Sequence, residues 1–169
     1  DDAKRSQNLL NDRERRAFDF LHACPHGAQS APEKMRQREQ DRTRREREHT
    51  GIMGSSMGGL ISLYGFLRHP DVFGFCGAMS PSLWFANRAL FDYVASLHRW
   101  FGRIYLDIGT EEGQRHVRNT QQMARLLRTR CPYPRDQVLF VVDEGAHHTE
   151  EAWSRRYEAA VRFLLPKRK

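Results

Sequence analysis

From Thr50 to the C-terminus the chain alternates between short apolar runs and amphipathic stretches, and this alternation restricts the fold more than any other feature. Strand-like runs cover residues 50–53, 72–79, 103–108 and 137–142. Helical patterns cover residues 59–67, 87–100, 116–130 and 149–165. Strands that alternate with helices at this spacing indicate a mostly parallel sheet with helices on both faces. We therefore predict an α/β chain that folds as a three-layer sandwich.

The first fifty residues lack this alternation and contain no Val, Ile, Tyr or Trp. Their composition predicts polar helices, separated by a linker at residues 27–32. We therefore predict two regions, with a polar helical and linker segment at residues 1–49. Residues 50–169 form the predicted α/β catalytic core.

The pattern Gly54-Ser55-Ser56-Met57-Gly58 lies between the first predicted strand and the helix that follows it. A serine at the centre of Gly-x-Ser-x-Gly in this position is typical of a nucleophile elbow, the tight turn that exposes the serine hydroxyl. Ser56 is therefore the predicted nucleophile, because Ser55 lacks the flanking pair of glycines. The backbone N–H of Met57, at the start of the helix, is the predicted donor to an oxyanion.

Two later strands end in side chains that suit acid and base roles. In a parallel sheet, ligands bind beyond the carboxyl ends of the strands. The strand at 103–108 leads into a loop with two glutamates, and the strand at 137–142 leads into a loop with adjacent histidines. The order serine, acid, histidine along the chain is that of the α/β-hydrolases. The pattern leaves open Glu112, Glu111 and Asp107 for the acid, and His148 and His147 for the base.

The chain from Gly54 onward resembles the esterase branch of the α/β-hydrolases, which includes feruloyl esterases, S-formylglutathione hydrolases, siderophore esterases and mycolyltransferases. The matching segments are residues 52–59, 75–84, 105–112 and 145–153. The pattern is most similar to siderophore-esterase-like members, in which a polar residue, a Glu and a nearby Trp follow the histidine. The resemblance implies Ser56 as the nucleophile, His148 as the base and Glu112 as the acid. Some relatives work with a Ser-His pair alone.

The activity that this resemblance implies is carboxylester hydrolysis through an acyl-serine, without a cofactor. The expected substrate is a small or aromatic ester, and a siderophore-type ester is one candidate. Acyl transfer on the same scaffold is an alternative function. A further alternative is an inactive, truncated hydrolase that serves as an interaction module.

Full-length members of this branch carry several strands before the elbow, and a loop after one of them donates the second oxyanion N–H. Residues 1–50 predict no strands that replace them. We therefore expect an α/β-hydrolase sheet without several N-terminal strands, and an incomplete oxyanion hole. The exposed sheet edge that results would favour a partner subunit, so a homodimer is the candidate assembly.

Charge and cysteine content restrict the partners and the compartment. The net charge is +7, but acidic residues alternate with basic ones over residues 33–48, so we predict no nucleic-acid partner. Three cysteines at unrelated spacings favour a reducing compartment. The sequence contains no apolar run of membrane-spanning length and no apolar N-terminal signal, so we predict a cytoplasmic protein without a membrane partner. No nucleotide-binding glycine loop occurs either, which predicts no nucleotide cofactor.

Three weaker patterns complete the analysis. His22, Cys24 and His26 alternate as potential zinc ligands, but a single cluster that contains a proline is more often a loop. Ser80 and Trp84 follow the second predicted strand and are candidates to line an acyl pocket, with a packing role as the alternative for Trp84. The closing helix is predicted to anchor in the core through Trp153, Tyr157, Val161 and Leu164.

Overall fold

The computed structural model describes residues 46–130 and 137–165, and these ranges contain four strands and four helices. The strands are β1 (Gly51–Ser55), β2 (Phe75–Met79), β3 (Arg103–Gly109) and β4 (Val138–Asp143). The helices are α1 (Met57–Arg68), α2 (Phe85–Ser96), α3 (Gln114–Arg130) and α4 (Glu150–Leu164). Short 3₁₀ turns cover Arg47–His49 and Thr110–Glu112.

All four strands pair in parallel, in the order β1-β2-β3-β4. Gly54 pairs with Ala78, Ala78 with Leu106, and Leu106 with Phe140, so the register continues across the whole sheet. Each strand is followed by a helix, and the carboxyl ends of the strands therefore lie along one edge of the sheet. The predicted α/β class with a parallel sheet is confirmed.

Helices cover both faces of this sheet, as the alternation of side chains along the strands requires. On one face Met79 and Tyr105 pack against Ala160 and Leu164 of α4. On the other face α1 comes close to the sheet at Gly65. A Cβ atom added to this glycine would lie 3.6 Å from Ile52 Cδ1 of β1. Helix α3 packs against β3 and β4. The result is the predicted layered arrangement, with the apolar core on both sides of the strands.

The helix predicted at 87–100 ends earlier, at Ser96, and this difference has a packing reason. Trp100 is 4% exposed, and its indole N–H donates to the Leu127 carbonyl at 3.0 Å. Its ring also meets Phe66 edge-on at a centroid distance of 5.9 Å. The chain becomes extended at Leu97, and this change lets Trp100 reach the core instead of extending the surface of α2.

Most of the predicted N-terminal segment, residues 1–49, lies outside the described residues, so the boundary near residue 50 stays a prediction. The weak zinc pattern at residues 22–26 lies outside them as well. Within residues 46–130 and 137–165, no group of three or more His, Cys, Asp or Glu side chains is arranged to hold a metal ion. No helix in these ranges combines the length and apolar character needed to cross a membrane.

Candidate active site

Ser56 lies in the turn between β1 and α1, with φ 55° and ψ −119°. A positive φ is costly for a residue with a side chain and is often found at functional turns. The turn brings backbone segments close together, and a Cβ atom added at Gly54 would lie only 2.6 Å from the carbonyl carbon of Gly58. A Cβ atom on Gly59 would lie 2.9 Å from the Met79 carbonyl oxygen, whereas one on Gly58 would meet open space. Crowding therefore requires glycine at positions 54 and 59 rather than at position 58.

His148 connects the elbow to the end of β3. Its Nε2 lies 2.9 Å from Ser56 Oγ, and its Nδ1 lies 2.6 Å from Glu112 Oε2. An ionised carboxylate can only accept, so with an ionised Glu112 Nδ1 carries the proton and Nε2 of the neutral ring accepts from the serine. The Trp153 ring meets the imidazole edge-on, with the ring centroids 4.9 Å apart. The alternative base, His147, is exposed, and in the described structure these two hydrogen bonds belong to His148.

Glu112 ends the 3₁₀ turn after β3, and its side chain is fully buried. While Oε2 faces His148, the other oxygen, Oε1, accepts from the Gly109 N–H at 2.7 Å and from the Ser80 hydroxyl at 2.6 Å. The alternative acids lie elsewhere, because Glu111 is exposed and Asp107 is paired with Arg156. Of the three candidates, the structure brings Glu112 to the histidine.

Met57 occupies the first position of α1, directly after Ser56. An N–H at the start of a helix has no carbonyl acceptor within that helix, so the Met57 N–H suits a ligand anion. The Ser82 hydroxyl oxygen lies 3.3 Å from Ser56 Oγ. The Ser82 N–H also donates to the Ser56 carbonyl at 3.0 Å and ties the loop after β2 to the elbow.

Next to Glu112 lies a largely buried cluster of polar and charged side chains, formed by Ser80, Asp107, Asp143 and Arg156. The sequence analysis missed the central residue of this buried cluster, Arg156, and its partner Asp143. The Arg156 guanidinium, on α4, donates from Nε to Asp107 Oδ2 at 3.0 Å and from Nη1 to Asp143 Oδ2 at 2.9 Å. Its Nη2 donates to the Ser80 hydroxyl at 3.0 Å. Ser80 is 1% exposed and therefore belongs to this cluster, so the prediction that it lines an acyl pocket is wrong. Trp84, by contrast, is 48% exposed.

Burial and ion pairing act in opposite directions on this cluster. Burial raises the pKa of Asp107, although the charge and hydrogen bonds of Arg156 lower it. Burial lowers the pKa of Arg156, but its bonds to Asp143 and Asp107 outweigh this effect and leave the pKa above its usual value. The cluster therefore holds charge inside the protein because each member has a partner.

Arg156 lies one residue before Tyr157, which the sequence analysis predicted as a core anchor of α4. Tyr157 is 56% exposed, so its prediction as a core anchor is wrong. The buried residues of α4 are Ala152, Arg156, Ala160 and Leu164. They repeat every four residues, and the alanine on either side of Arg156 leaves room for a long side chain.

The parallel sheet and the Ser-His-Glu row at the carboxyl ends of its strands define an α/β-hydrolase fold with a serine-hydrolase-like site. Residues 35–164 match the family model described as "Putative esterase". The chain belongs to this esterase family.

Individual relatives are consistent with this assignment. The chain is 32% identical over 130 residues to "Uncharacterized protein YbbA" of Bacillus subtilis (strain 168), a match that covers 73% of this chain and 52% of that protein. Among solved structures, the enterochelin esterase of Shigella flexneri matches with a TM-score of 0.67 at 20% identity, over 86% of this chain and 39% of that one. The siderophore hydrolase EstB of Aspergillus nidulans matches with a TM-score of 0.59 at 19% identity, over 80% of this chain and 55% of that one. The chain thus spans about half the length of the curated relative that it matches.

Proposed function

We propose that this chain carries the nucleophile, base and acid of a serine esterase that hydrolyses carboxylic esters through an acyl-serine intermediate. The observation that carries the proposal is the hydrogen-bonded row of Ser56, His148 and Glu112, with successive distances of 2.9 and 2.6 Å. Its three members come from loops after three different strands, and membership of the esterase family adds independent support.

In the proposed acylation step, Ser56 Oγ attacks the carbonyl carbon of the ester while its proton passes to His148 Nε2. Glu112 Oε2 accepts from the Nδ1–H throughout and stabilises the imidazolium that forms. The carbonyl oxygen becomes an oxyanion, to which the Met57 N–H donates. His148 then returns the proton to the departing alkoxide, and the C–O bond to the alcohol breaks.

In deacylation, water takes the place of the alcohol. His148 Nε2 removes a proton from the water, the hydroxide attacks the acyl carbon, and the bond to Ser56 Oγ breaks as that oxygen regains the proton. The net reaction is ester plus water to acid plus alcohol, and it needs no cofactor. If an alcohol outcompetes water at this step, the same site performs acyl transfer.

For the substrate we propose a small or aromatic ester, with siderophore-type esters as the leading candidates. The similarity to an enterochelin esterase and to a siderophore hydrolase supports this class. Trp84 is exposed and follows two residues after Ser82, whose hydroxyl lies 3.3 Å from Ser56 Oγ, so we propose its indole as a stacking surface for an aromatic acyl group. The homodimer and the cytoplasmic location stay predictions.

A p-nitrophenyl acetate assay, combined with labelling by a fluorophosphonate, tests the proposed activity. Ser56→Ala should abolish both turnover and labelling while leaving the circular dichroism spectrum unchanged. Ser55→Ala is the matched control and should still be labelled, because its hydroxyl belongs to the strand before the turn. Labelling that persists in Ser56→Ala, or a wild-type chain without either reaction, would contradict the proposal and favour the inactive interaction module.

A further inference from the structure

The Ser80 hydroxyl lies between the Glu112 carboxylate and the buried cluster, and three groups surround it. It donates to Glu112 Oε1 at 2.6 Å. It accepts from Trp153 Nε1 at 3.0 Å and from Arg156 Nη2 at 3.0 Å. With Ser80 1% exposed, water has little access to this hydroxyl.

The chemistry of these partners determines the direction of the hydroxyl proton. An indole N–H and a guanidinium N–H can only donate, and together they use both acceptor lone pairs of a serine oxygen. The one remaining bond of Ser80 is its own O–H, which therefore points to Glu112 Oε1. A freely rotating hydroxyl could satisfy the carboxylate only part of the time, whereas this one is held in a single orientation.

The backbone of Ser80 is fixed by the same cluster. Its N–H donates to Asp107 Oδ1 at 2.9 Å and to the Asp107 carbonyl at 3.1 Å. Its φ of 42° lies in the left-handed region, which is costly for serine and which these bonds stabilise. Asp107 in turn receives the Nε of Arg156, so one ion pair orients both the backbone and the side chain of Ser80.

The consequence for Glu112 is that its two oxygens have separate tasks. Oε1 receives two neutral donors, the Gly109 N–H and the Ser80 hydroxyl, while Oε2 is left for His148 Nδ1. The ionisable groups that face the carboxylate are the His148 imidazole from the loop after β4 and the Arg156 guanidinium from α4, whose Nη2 lies 3.8 Å from Oε1. The carboxylate can rotate only if it gives up bonds to both neutral donors.

We propose that Ser80, oriented by Arg156 and Trp153, is a positioning residue that acts through Glu112 and holds its Oε2 against the catalytic histidine. The inference rests on the proposed esterase function, since it assigns a role within that site. Trp153 contributes twice, because its indole N–H fixes Ser80 and its ring packs edge-on against His148. Helix α4 is thereby connected to Ser56 through the side chains of Trp153 and His148.

The test begins with Ser80→Gly, which removes the hydroxyl and adopts the positive φ at less cost than alanine would. Turnover (kcat) should fall about tenfold, the effect of losing one hydrogen bond to a charged group. KM should change by less than about twofold, since Ser80 is buried and does not touch substrate. Ser154→Ala, which removes an exposed hydroxyl from helix α4, is the control and should leave both constants unchanged.

A double-mutant cycle separates positioning from a general effect on the fold. In a Glu112→Ala background, Ser80→Gly should have less than about a twofold effect on kcat, because the group through which it acts is gone. An equal loss in both backgrounds would mean that Ser80 acts only through the fold, and it would overturn the proposal.

A second measurement does not depend on turnover and therefore distinguishes this inference from the proposed function. In ¹⁵N-histidine-labelled protein the Nδ1–H of His148 should give a low-field proton resonance, assigned by its absence in His148→Ala. In Ser80→Gly it should broaden or disappear, because the carboxylate is free to rotate and the proton exchanges with water. An unchanged resonance would overturn the positioning role even in an active enzyme. A lost resonance in a chain that hydrolyses no ester would support the positioning role and refute the function.

Discussion

The two polar assemblies at the carboxyl end of the sheet are held in place in different ways. The proposed catalytic row of Ser56, His148 and Glu112 lies on loops, and the His148 side chain is 39% exposed. The buried cluster next to it joins β3 to α4, and its central residue, Arg156, is 6% exposed. The row needs access to substrate and water, while the cluster needs to exclude them. The proposed row therefore opens to solvent at His148, while its buried end, Glu112, adjoins the cluster through the Ser80 hydroxyl.

The largest expected effect distinguishes His148, a member of the proposed catalytic row, from the adjacent His147. His148→Ala should lower kcat by at least about a thousandfold, because the members of a triad act as a unit and the serine loses its base. His147→Ala is the matched control and should change kcat by less than about threefold, since its exposed ring lies outside the row. Initial rates with p-nitrophenyl acetate measure both. A larger loss of kcat in His147→Ala than in His148→Ala would identify His147 as the base instead.

The contrast between row and cluster also explains which parts were predictable from the sequence. The elbow at Ser56 is local, because a glycine pattern between a strand and a helix encodes the turn. The choices between His147 and His148, and between Glu111 and Glu112, were not encoded in the residues themselves. They depend on how the loops after β3 and β4 meet, and only the family resemblance indicated the pair that the structure brings together.

The cluster was missed for a different physical reason. A buried arginine contradicts the usual expectation that charged side chains face water. Its partners, Asp107 and Asp143, lie 49 and 13 positions away along the chain, so no short pattern connects them. The parallel sheet was predictable because strand and helix periodicities are local. On α4 the predicted anchor Leu164 is buried, whereas Tyr157 was predicted in place of Arg156 because its ring is apolar enough to be taken for an anchor.

The second prediction tests whether the cluster holds the fold. Arg156→Met should lower the free energy of unfolding by about 3–5 kcal/mol, because it leaves Asp107 buried without its cation. Arg156→Lys keeps the charge but loses the planar fork of donors, so it should lie between Met and wild type. Urea unfolding followed by fluorescence measures all three. A loss below about 1 kcal/mol for Met would mean that the cluster contributes little to stability.

The loss of unfolding free energy in Arg156→Met should depend on pH, and the pKa of Asp107 determines the direction. Burial raises the pKa of Asp107 in the folded state, and Arg156 opposes that rise. A carboxyl group with a raised folded pKa contributes stability at low pH, and this contribution is lost as the pH rises through the folded pKa. Arg156→Met removes the opposing cation and raises the folded pKa further. Its deficit in unfolding free energy should therefore be smaller at about pH 5 than at about pH 8. A deficit that is constant over this range would contradict the conclusion that Arg156 lowers the pKa of the buried Asp107.

The smallest expected effect tests the register of α4, on which the difference between the two assemblies depends. The apolar pattern of the sequence predicts Tyr157 as a core anchor, whereas the structure leaves it 56% exposed beside the buried Arg156. Tyr157→Ser should therefore change the free energy of unfolding by no more than about 0.5 kcal/mol, as for an ordinary surface position. Measured in the same urea series, it is the matched control for Arg156→Met one residue away. A loss of about 2 kcal/mol or more would place Tyr157 in the core and turn Arg156 towards solvent. The buried cluster, and the Ser80 hydroxyl that depends on it, could not then form as described.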